Sequence, residues 1–168
     1  GQVVLNRDRV AHVVPQVSGI ARTIAPSEGD TVTAGQLLAT LDSSELARIV
    51  IAEVRRIFSL DHASILLWDE GSRQFTQAAF HGLELSDTVL AKMSQGVPGH
   101  VRKSGRAELV NDLSGDERWV EGGFPPGSLL CAPLKAKTAV RGVLNAYSTK
   151  PNRFSAEDLS LLKTLATY

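Results

Sequence analysis

Several features that would define a chemistry are scarce in this 168-residue sequence. It has one cysteine, Cys131, so a disulfide within the chain and a multi-cysteine metal site are both excluded. Lysine plus arginine and aspartate plus glutamate each number 18, and this zero formal net charge argues against nucleic acid as a partner. No apolar run approaches the roughly 20 residues of a membrane-spanning helix. There is no signal-peptide pattern, and because the first residue is Gly1 we expect a processed or excised fragment.

Catalytic and metal-binding motifs are also lacking. The sequence contains no nucleophile elbow, P-loop or dinucleotide fingerprint. Cys131 sits in an apolar stretch without basic neighbours, which is typical of a buried, unreactive thiol. A cluster of carboxylates at Asp112, Asp116 and Glu117 is more typical of a solvated loop than of acid–base catalysis. Four histidines lack metal-ligand spacing: His12, His62, His81 and His100. We therefore predict a protein without catalytic residues, metal or cofactor.

The most informative stretch is residues 96–119, GVPGHVRKSGRAELVNDLSGDERW. It predicts a short helix at 97–102, a stop at Gly105, an apolar strand at 107–110 and a polar loop. One interpretation is that its glycines only provide backbone freedom. The other is a binding loop held over a sheet, because loops on a rigid scaffold often carry binding groups. The glycines are Gly96, Gly99, Gly105 and Gly115.

This stretch resembles the centre of the GAF family of small-molecule-binding sensory domains. The family pattern is G-x-x-G-x-x-x-x-x-G, an apolar strand, Asn/Asp-Asp and then D-x-R. Three later stretches follow in the family's order: SLLCAPL at 128–134, RGVLNAYST at 141–149 and FSAEDLSLLKTLA at 154–166. The resemblance covers about residues 44–168. It implies an α+β fold with an antiparallel sheet of about six strands, and first and last helices packed on one face.

The resemblance also implies a pocket between the sheet and residues 96–119. The alternative is that the aromatic candidates simply fill the core. Nine residues are the candidate ligand-binding residues: Trp68, Phe80, Val97, His100, Asn111, Asp112, Trp119, Ser128 and Cys131.

The motifs that reductase, bilin-binding and cyclic-nucleotide-binding members of the family use are incomplete in this sequence. Methionine sulfoxide reductases with this fold use several cysteines, and bilin-binding members use a cysteine usually followed by His, whereas Cys131 precedes Ala132. Cyclic-nucleotide-binding members have Asn-Lys, Phe and, after three residues, Asp-Glu. Here Arg153 replaces the lysine and Leu159 the glutamate, which argues against a cyclic nucleotide.

Residues 1–43 predict short strands with tight turns and no helix. The pattern Pro15-x-x-Ser18-Gly19, followed by Glu28-Gly29-Asp30-x-Val32-x-x-Gly35, resembles half of the barrel-sandwich, or lipoyl-like, domain of membrane fusion proteins. These proteins are the adaptors of efflux pumps. No lysine lies between Gln2 and Leu46, so a covalently carried cofactor is not supported. A half barrel leaves unpaired strand edges that another segment must complete.

Two domains are thus predicted, a small all-β half barrel-sandwich at 1–43 and a GAF-like domain at 44–168, in a natural or engineered fusion. The hypothesis is a non-enzymatic, small-molecule-sensing domain attached to an efflux-adaptor-like module. The alternative is a structural adaptor fragment in which the GAF-like part is a docking or spacer element. Expected partners are an unknown small molecule, a second copy bound through the terminal helices, and membrane transport components. The GAF-like domain leads us to expect a cytoplasmic location, whereas the adaptor resemblance implies the cell envelope or periplasm as the alternative.

Overall fold

The computed structural model describes residues 20–24, 39–42, 44–136 and 139–167. The chain divides into two compact units, residues 1–43 and 44–168. In the first unit, strand β1 (Ile20–Ile24) pairs antiparallel with strand β2 (Ala39–Asp42). The rest of the predicted barrel-sandwich pattern, including Pro15 and Gly29, lies outside the described residues. No described helix is long and apolar enough to span a membrane.

The second unit has four helices and five strands among its described residues. Its elements are α1 (Ser44–Ile57), β3 (His62–Asp69), β4 (Gln74–His81), α2 (Asp87–Met93), α3 (Val97–Ser104), β5 (Glu108–Val110), β6 (Ser128–Ala136), β7 (Ala139–Ser148) and α4 (Ala156–Leu165). The strands form an antiparallel sheet in the order β4-β3-β7-β6-β5. The α+β architecture with a central antiparallel sheet is therefore confirmed.

The sheet has five strands in the described part of this unit, not about six. The chain after β5, where the sequence predicts a polar loop, forms turns because its carboxylates bond neighbouring backbone groups. The Ser114 N–H donates to Asp112 Oδ1 at 2.9 Å, and the Arg118 N–H donates to Asp116 Oδ1 at 2.8 Å. Such Asx bonds favour turns over an extended ladder.

The terminal helices pack on the same face of the sheet, as predicted. One hydrophobic core contains residues of both terminal helices and of the sheet. Helix α1 contributes Ile51 and Val54, Phe58 directly follows that helix, and α4 contributes Leu162; buried residues of β3, β6 and β7 also belong to this core. The α4 helix begins with a capping box, in which Ser155 Oγ accepts from the Asp158 N–H and the Asp158 carboxylate accepts from the Ser155 N–H. Periodic apolar residues of both helices are thus buried against one side of the sheet.

The opposite face carries α2, α3 and the loop that follows β5. Helix α3 ends at Gly105, whose φ of +64° is the left-handed conformation that favours glycine. Gly99 lies where a Cβ atom would come 2.0 Å from the carbonyl oxygen of Ser94. Gly99 therefore lets α3 approach the end of α2 closely.

Candidate ligand-binding site

A cavity of about 50 Å³ lies between the sheet and residues 113–124, which we call the lid. Its floor is formed by four residues of β3 and β7, namely His62, Ser64, Asn145 and Tyr147. The lid contributes Leu113, Arg118, Trp119, Val120, Gly122 and Phe124. The volume suits a few waters or a very small molecule, since drug-sized ligands need about 300–1,000 Å³.

The centre of the floor is a pair of polar side chains on adjacent strands. Ser64 and Asn145 face each other in the β3–β7 register. Asn145 Nδ2 donates to Ser64 Oγ at 3.3 Å, whereas Asn145 Oδ1 has no hydrogen-bond partner among the described residues. The Asn145 side chain is only 4% exposed. A buried polar atom without a partner is costly, so this oxygen is the point where a bound donor would gain most.

The other two floor residues are uncharged near neutral pH. Burial is the main cause that lowers the pKa of His62 to about 4. The Leu83 N–H donates to its Nδ1 at 3.3 Å. Burial raises the pKa of Tyr147 to about 12, and its hydroxyl donates to the carbonyl of Pro125 just beyond the lid. Both rings therefore stay neutral at pH 7.

Aromatic rings connect the floor to the lid. The Trp119 ring stacks on Tyr147, with centroids 5.9 Å apart and an angle of 15°. Phe124 lies 5.0 Å from both the Tyr147 ring and the His62 ring. Aromatic pairs at such distances stabilise one another by about 0.5–1.5 kcal/mol beyond the area they bury. Flat hydrophobic surfaces thus line much of the cavity.

A charged network holds the lid to the rest of the domain. Arg118 binds both carboxylate oxygens of Asp116, at 3.0 and 2.8 Å, and its Nη1 donates to Glu108 of β5 at 2.8 Å. His100 of α3 binds the other oxygen of Glu108 at 3.1 Å. The hydrogen bonds from Arg118 hold the pKa of Asp116 below its usual range, and Asp116 in turn raises the pKa of Arg118. The guanidinium charge at the cavity wall is therefore matched by carboxylates.

The structure places two of the nine sequence-predicted residues, Val97 and Trp119, in the cavity lining. Trp68 packs elsewhere in the same core, edge-on to Phe75 and 3.8 Å below the guanidinium of Arg102. Phe80 pairs with Ser64 across the strands, yet its side chain is 41% exposed.

The other five predicted residues lie outside the cavity lining. His100 belongs to the lid network, and Cys131 is fully buried in the core beside Asn145. Asn111 accepts a backbone bond from Asn152 at 2.7 Å, and the Asp112 carboxylate caps a turn. Ser128 donates to the carbonyl of Lys150 at 2.8 Å. The last three therefore bond to loop backbone near the end of the sheet.

Sequence reasoning missed the four floor residues and Phe124. For Ser64 and Asn145, the alternation of polar and apolar residues along each strand could have indicated the face on which they lie. Ser64 lies between Ala63 and Ile65, and Asn145 between Leu144 and Ala146, and these four apolar neighbours pack on the helices. Because successive side chains of a strand point to opposite faces, a polar residue inside an apolar strand marks the other face.

A central antiparallel sheet with terminal helices on one face and a lidded cavity on the other defines an α+β cavity domain. The family model described as GAF domain matches residues 40–168, so the chain belongs to the GAF domain family. This confirms the resemblance inferred from the sequence.

Solved structures of the same fold come from several bacteria. The GAF domain of an Acinetobacter phosphoenolpyruvate-protein phosphotransferase is 25% identical, with a TM-score of 0.64 over 76% of this chain and 80% of that chain. A Neisseria meningitidis free methionine-R-sulfoxide reductase in complex with its substrate is 21% identical, with a TM-score of 0.65 over 73% and 72%. The GAF-B domain of DevS from Mycobacterium smegmatis is 20% identical, with a TM-score of 0.56 over 74% and 87%.

No curated protein sequence matches the chain significantly. GAF domains are typically sensory or regulatory, and sensor proteins are among the structural neighbours. The efflux-adaptor resemblance of residues 1–43 has no counterpart among these matches. Fold membership does not by itself define a function, so the function has to be argued from the site.

Proposed function

We propose that residues 44–168 form a non-enzymatic sensory or regulatory domain that binds a small molecule in the cavity beneath the lid. The observation that carries the proposal is the cavity beneath the lid, whose buried polar floor includes Asn145 Oδ1, an atom without a partner among the described residues. A site that only completed the core would be expected to fill this space with apolar side chains.

Two properties of Cys131 support a role without catalysis. It is the single cysteine of the chain, and its thiol is fully buried. Burial, with a smaller contribution from the negative charge of Glu108, raises the pKa of this thiol well above its ordinary value. Nucleophilic and redox cysteines need an accessible thiolate, which this environment disfavours.

Signal transmission would run through the strands of the floor. Asn145 of β7 faces the cavity, while its neighbours Leu144 and Ala146 contact the core shared with α1 and α4. A ligand that moves β7 or β3 slightly would favour one arrangement of the terminal helices over another. The helices would then pass this change to attached modules.

A binding experiment tests the proposal. We expect native mass spectrometry of the purified 168-residue chain to reveal a retained small molecule, or a metabolite library to raise its melting temperature. Ser64→Val, which fills the cavity, should remove the retained mass and the shift. Thr76→Val, a similar change at an exposed position of β4, should leave both intact. An empty protein that no metabolite stabilises would favour the alternative, a structural docking or spacer element.

A second copy of the chain is the proposed protein partner. Three large apolar side chains of the terminal helices are exposed: Ile49 by 54%, Ile57 by 37% and Leu161 by 40%. Pairing of these helices between two chains would bury them. In analytical ultracentrifugation we expect a dimer that Ile49→Glu dissociates and Leu83→Glu, outside the helices, does not. A monomer at high concentration would contradict this proposal.

Attachment to an efflux-adaptor-like module, with membrane transport components as partners, is proposed on the residue pattern of 1–43 alone. Within that unit, the β1–β2 antiparallel pair is the described element. Sequencing the parent gene tests the idea. A second barrel-sandwich half encoded downstream of residue 168 would support it, and a parent protein without one would contradict it.

A further inference from the structure

The cavity presents no unmatched charge to a ligand. His62 is neutral at pH 7 because burial depresses its pKa to about 4. Arg118 is matched by two carboxylates, those of Asp116 and Glu108, at 2.8 Å each for the closest contacts. An ion that entered would lose its hydration without gaining a free counter-charge, which is costly in a buried site. The site therefore favours an uncharged molecule.

The floor offers one hydrogen-bond acceptor and one donor side by side. Asn145 Oδ1 has no partner among the described residues, and Asn145 as a whole is only 4% exposed. Ser64 Oγ accepts the bond from Asn145 Nδ2, which leaves its own proton to donate. No acceptor for that proton is found among the residues the structure describes. If the Asn145 amide were turned over, donor and acceptor would exchange places, and the pair would remain complementary to the same kind of ligand.

The shape of the cavity limits what can satisfy this pair. Its volume of about 50 Å³ admits only a small molecule. The rings of Trp119, Phe124 and Tyr147 provide flat apolar surfaces along its walls. A planar ring in which an N–H lies next to a C=O, as in a lactam or cyclic imide, offers a donor, an acceptor and flat faces together.

We propose that the ligand of this cavity is a small, uncharged, ring-shaped amide whose N–H and C=O bind Asn145 and Ser64. This inference rests on the proposed function, since it names the chemical class that the sensory site takes. Asn145 and Ser64 are then the residues that determine specificity, and the aromatic lid residues supply affinity that is largely independent of hydrogen bonding.

Five probes of similar size separate the features of the ligand. 2-Pyrrolidone carries both N–H and C=O, N-methyl-2-pyrrolidone and cyclopentanone lack the N–H, pyrrolidine is a cation at pH 7, and cyclopentanecarboxylate is an anion. Each is titrated into the ¹⁵N-labelled 168-residue chain and followed by chemical shifts of cavity residues. We expect 2-pyrrolidone to bind about 5-fold or more tighter than the two probes without N–H, because one hydrogen bond contributes about 1 kcal/mol. The charged probes should bind weakest.

Variants assign the preference to the floor. Asn145→Leu should abolish the advantage of 2-pyrrolidone over cyclopentanone, while Thr76→Val should preserve it. If Asn145→Leu does not fold, Ser64→Ala serves the same purpose, and the probe series on the unmodified chain remains a test without any variant. Equal affinity for 2-pyrrolidone and cyclopentanone in the unmodified chain would overturn the amide assignment.

The outcomes distinguish this inference from the function on which it rests. Tightest binding by a charged probe would overturn the uncharged class but leave the cavity as a ligand site. If no probe binds, the compound that native mass spectrometry finds retained in the purified chain tests the inference. A retained compound other than an uncharged ring amide would overturn it. If there is neither probe binding nor a retained or stabilising compound, both proposals fail.

Discussion

The burial of His62 in the cavity floor predicts a specific dependence of stability on pH. Its side chain is 4% exposed, and burial lowers its pKa from 6.5 to about 4. In the unfolded chain the imidazole takes up a proton near its ordinary pKa, whereas in the folded chain it resists until about pH 4. The stability that the neutral ring provides is thus complete above pH 6.5 and lost as the pH falls toward 4. At about 1.4 kcal/mol per pH unit, the gap between the two pKa values amounts to about 3 kcal/mol.

Urea unfolding of the unmodified chain and of His62→Gln at pH 7.0, 6.0, 5.0 and 4.5 measures this effect. Both proteins share every other titrating group, so the difference between their free energies of unfolding isolates His62. We expect the unmodified chain to lose about 2 kcal/mol relative to the variant between pH 7.0 and 4.5, because the proton uptake of the folded state is not yet complete there.

A control and a refuting outcome are available. Phe58→Leu creates a defect in the helix-side core, where Phe58 is 5% exposed, and should lower stability by the same amount at each pH. The refuting result is a difference in free energy of unfolding between the unmodified chain and His62→Gln that changes by less than about 0.5 kcal/mol from pH 7.0 to 4.5. It would show that the ring is not buried as a neutral group.

Two further predictions concern the lid network and the fit of α3. Arg118→Met removes the guanidinium that joins the half-buried carboxylates of Asp116 and Glu108 and should lower the free energy of unfolding by about 2 kcal/mol at pH 7. Because Arg118 holds the pKa of Asp116 below 3.8, this stabilisation is present above that pH and should fade at pH 3. If urea unfolding shows that Arg118→Met lowers stability equally at pH 7 and pH 3, the ion pair is contradicted. Gly99→Ala would place a Cβ 2.0 Å from a backbone oxygen and should lower stability in thermal unfolding by about 2 kcal/mol. The control Gly115→Ala, whose Cβ would have no atom within 4 Å, should lower it by less than about 0.5 kcal/mol. Similar losses for both variants would refute the close approach of α3.

Much of the fold of residues 44–168 was predictable because its signals are local. The apolar periodicity of residues 46–58 predicts the first helix, in which Val54 and Phe58 are buried while Ile49 and Ile57 are exposed, and Ser155 predicts the start of the last helix. The strand count was the exception. The family resemblance implies about six strands, whereas the described residues of this unit form a sheet of five.

The candidate site was predictable only in outline. The expectation that the 96–119 stretch covers one face of the sheet agrees with the positions of Val97 and Trp119. The polar floor was missed because its signal lies in two separate strands. Ser64 and Asn145 are 81 positions apart in the chain, and neither strand alone indicates that the two polar residues meet.

Local patterns predict the kind and order of the elements of residues 44–168 and the N-cap of the last helix, and the composition shows a single thiol. These follow from periodicity, capping residues and composition, which act over a few neighbouring residues. That Asn145 meets Ser64 beneath the lid depends on the pairing of two distant strands, since a one-residue change of register between β3 and β7 would place the two side chains on opposite faces of the sheet. The register of β3 with β7 is favoured by the burial of side chains on both faces of the sheet. This burial depends on elements far apart in the chain, so no pattern within one strand contains it.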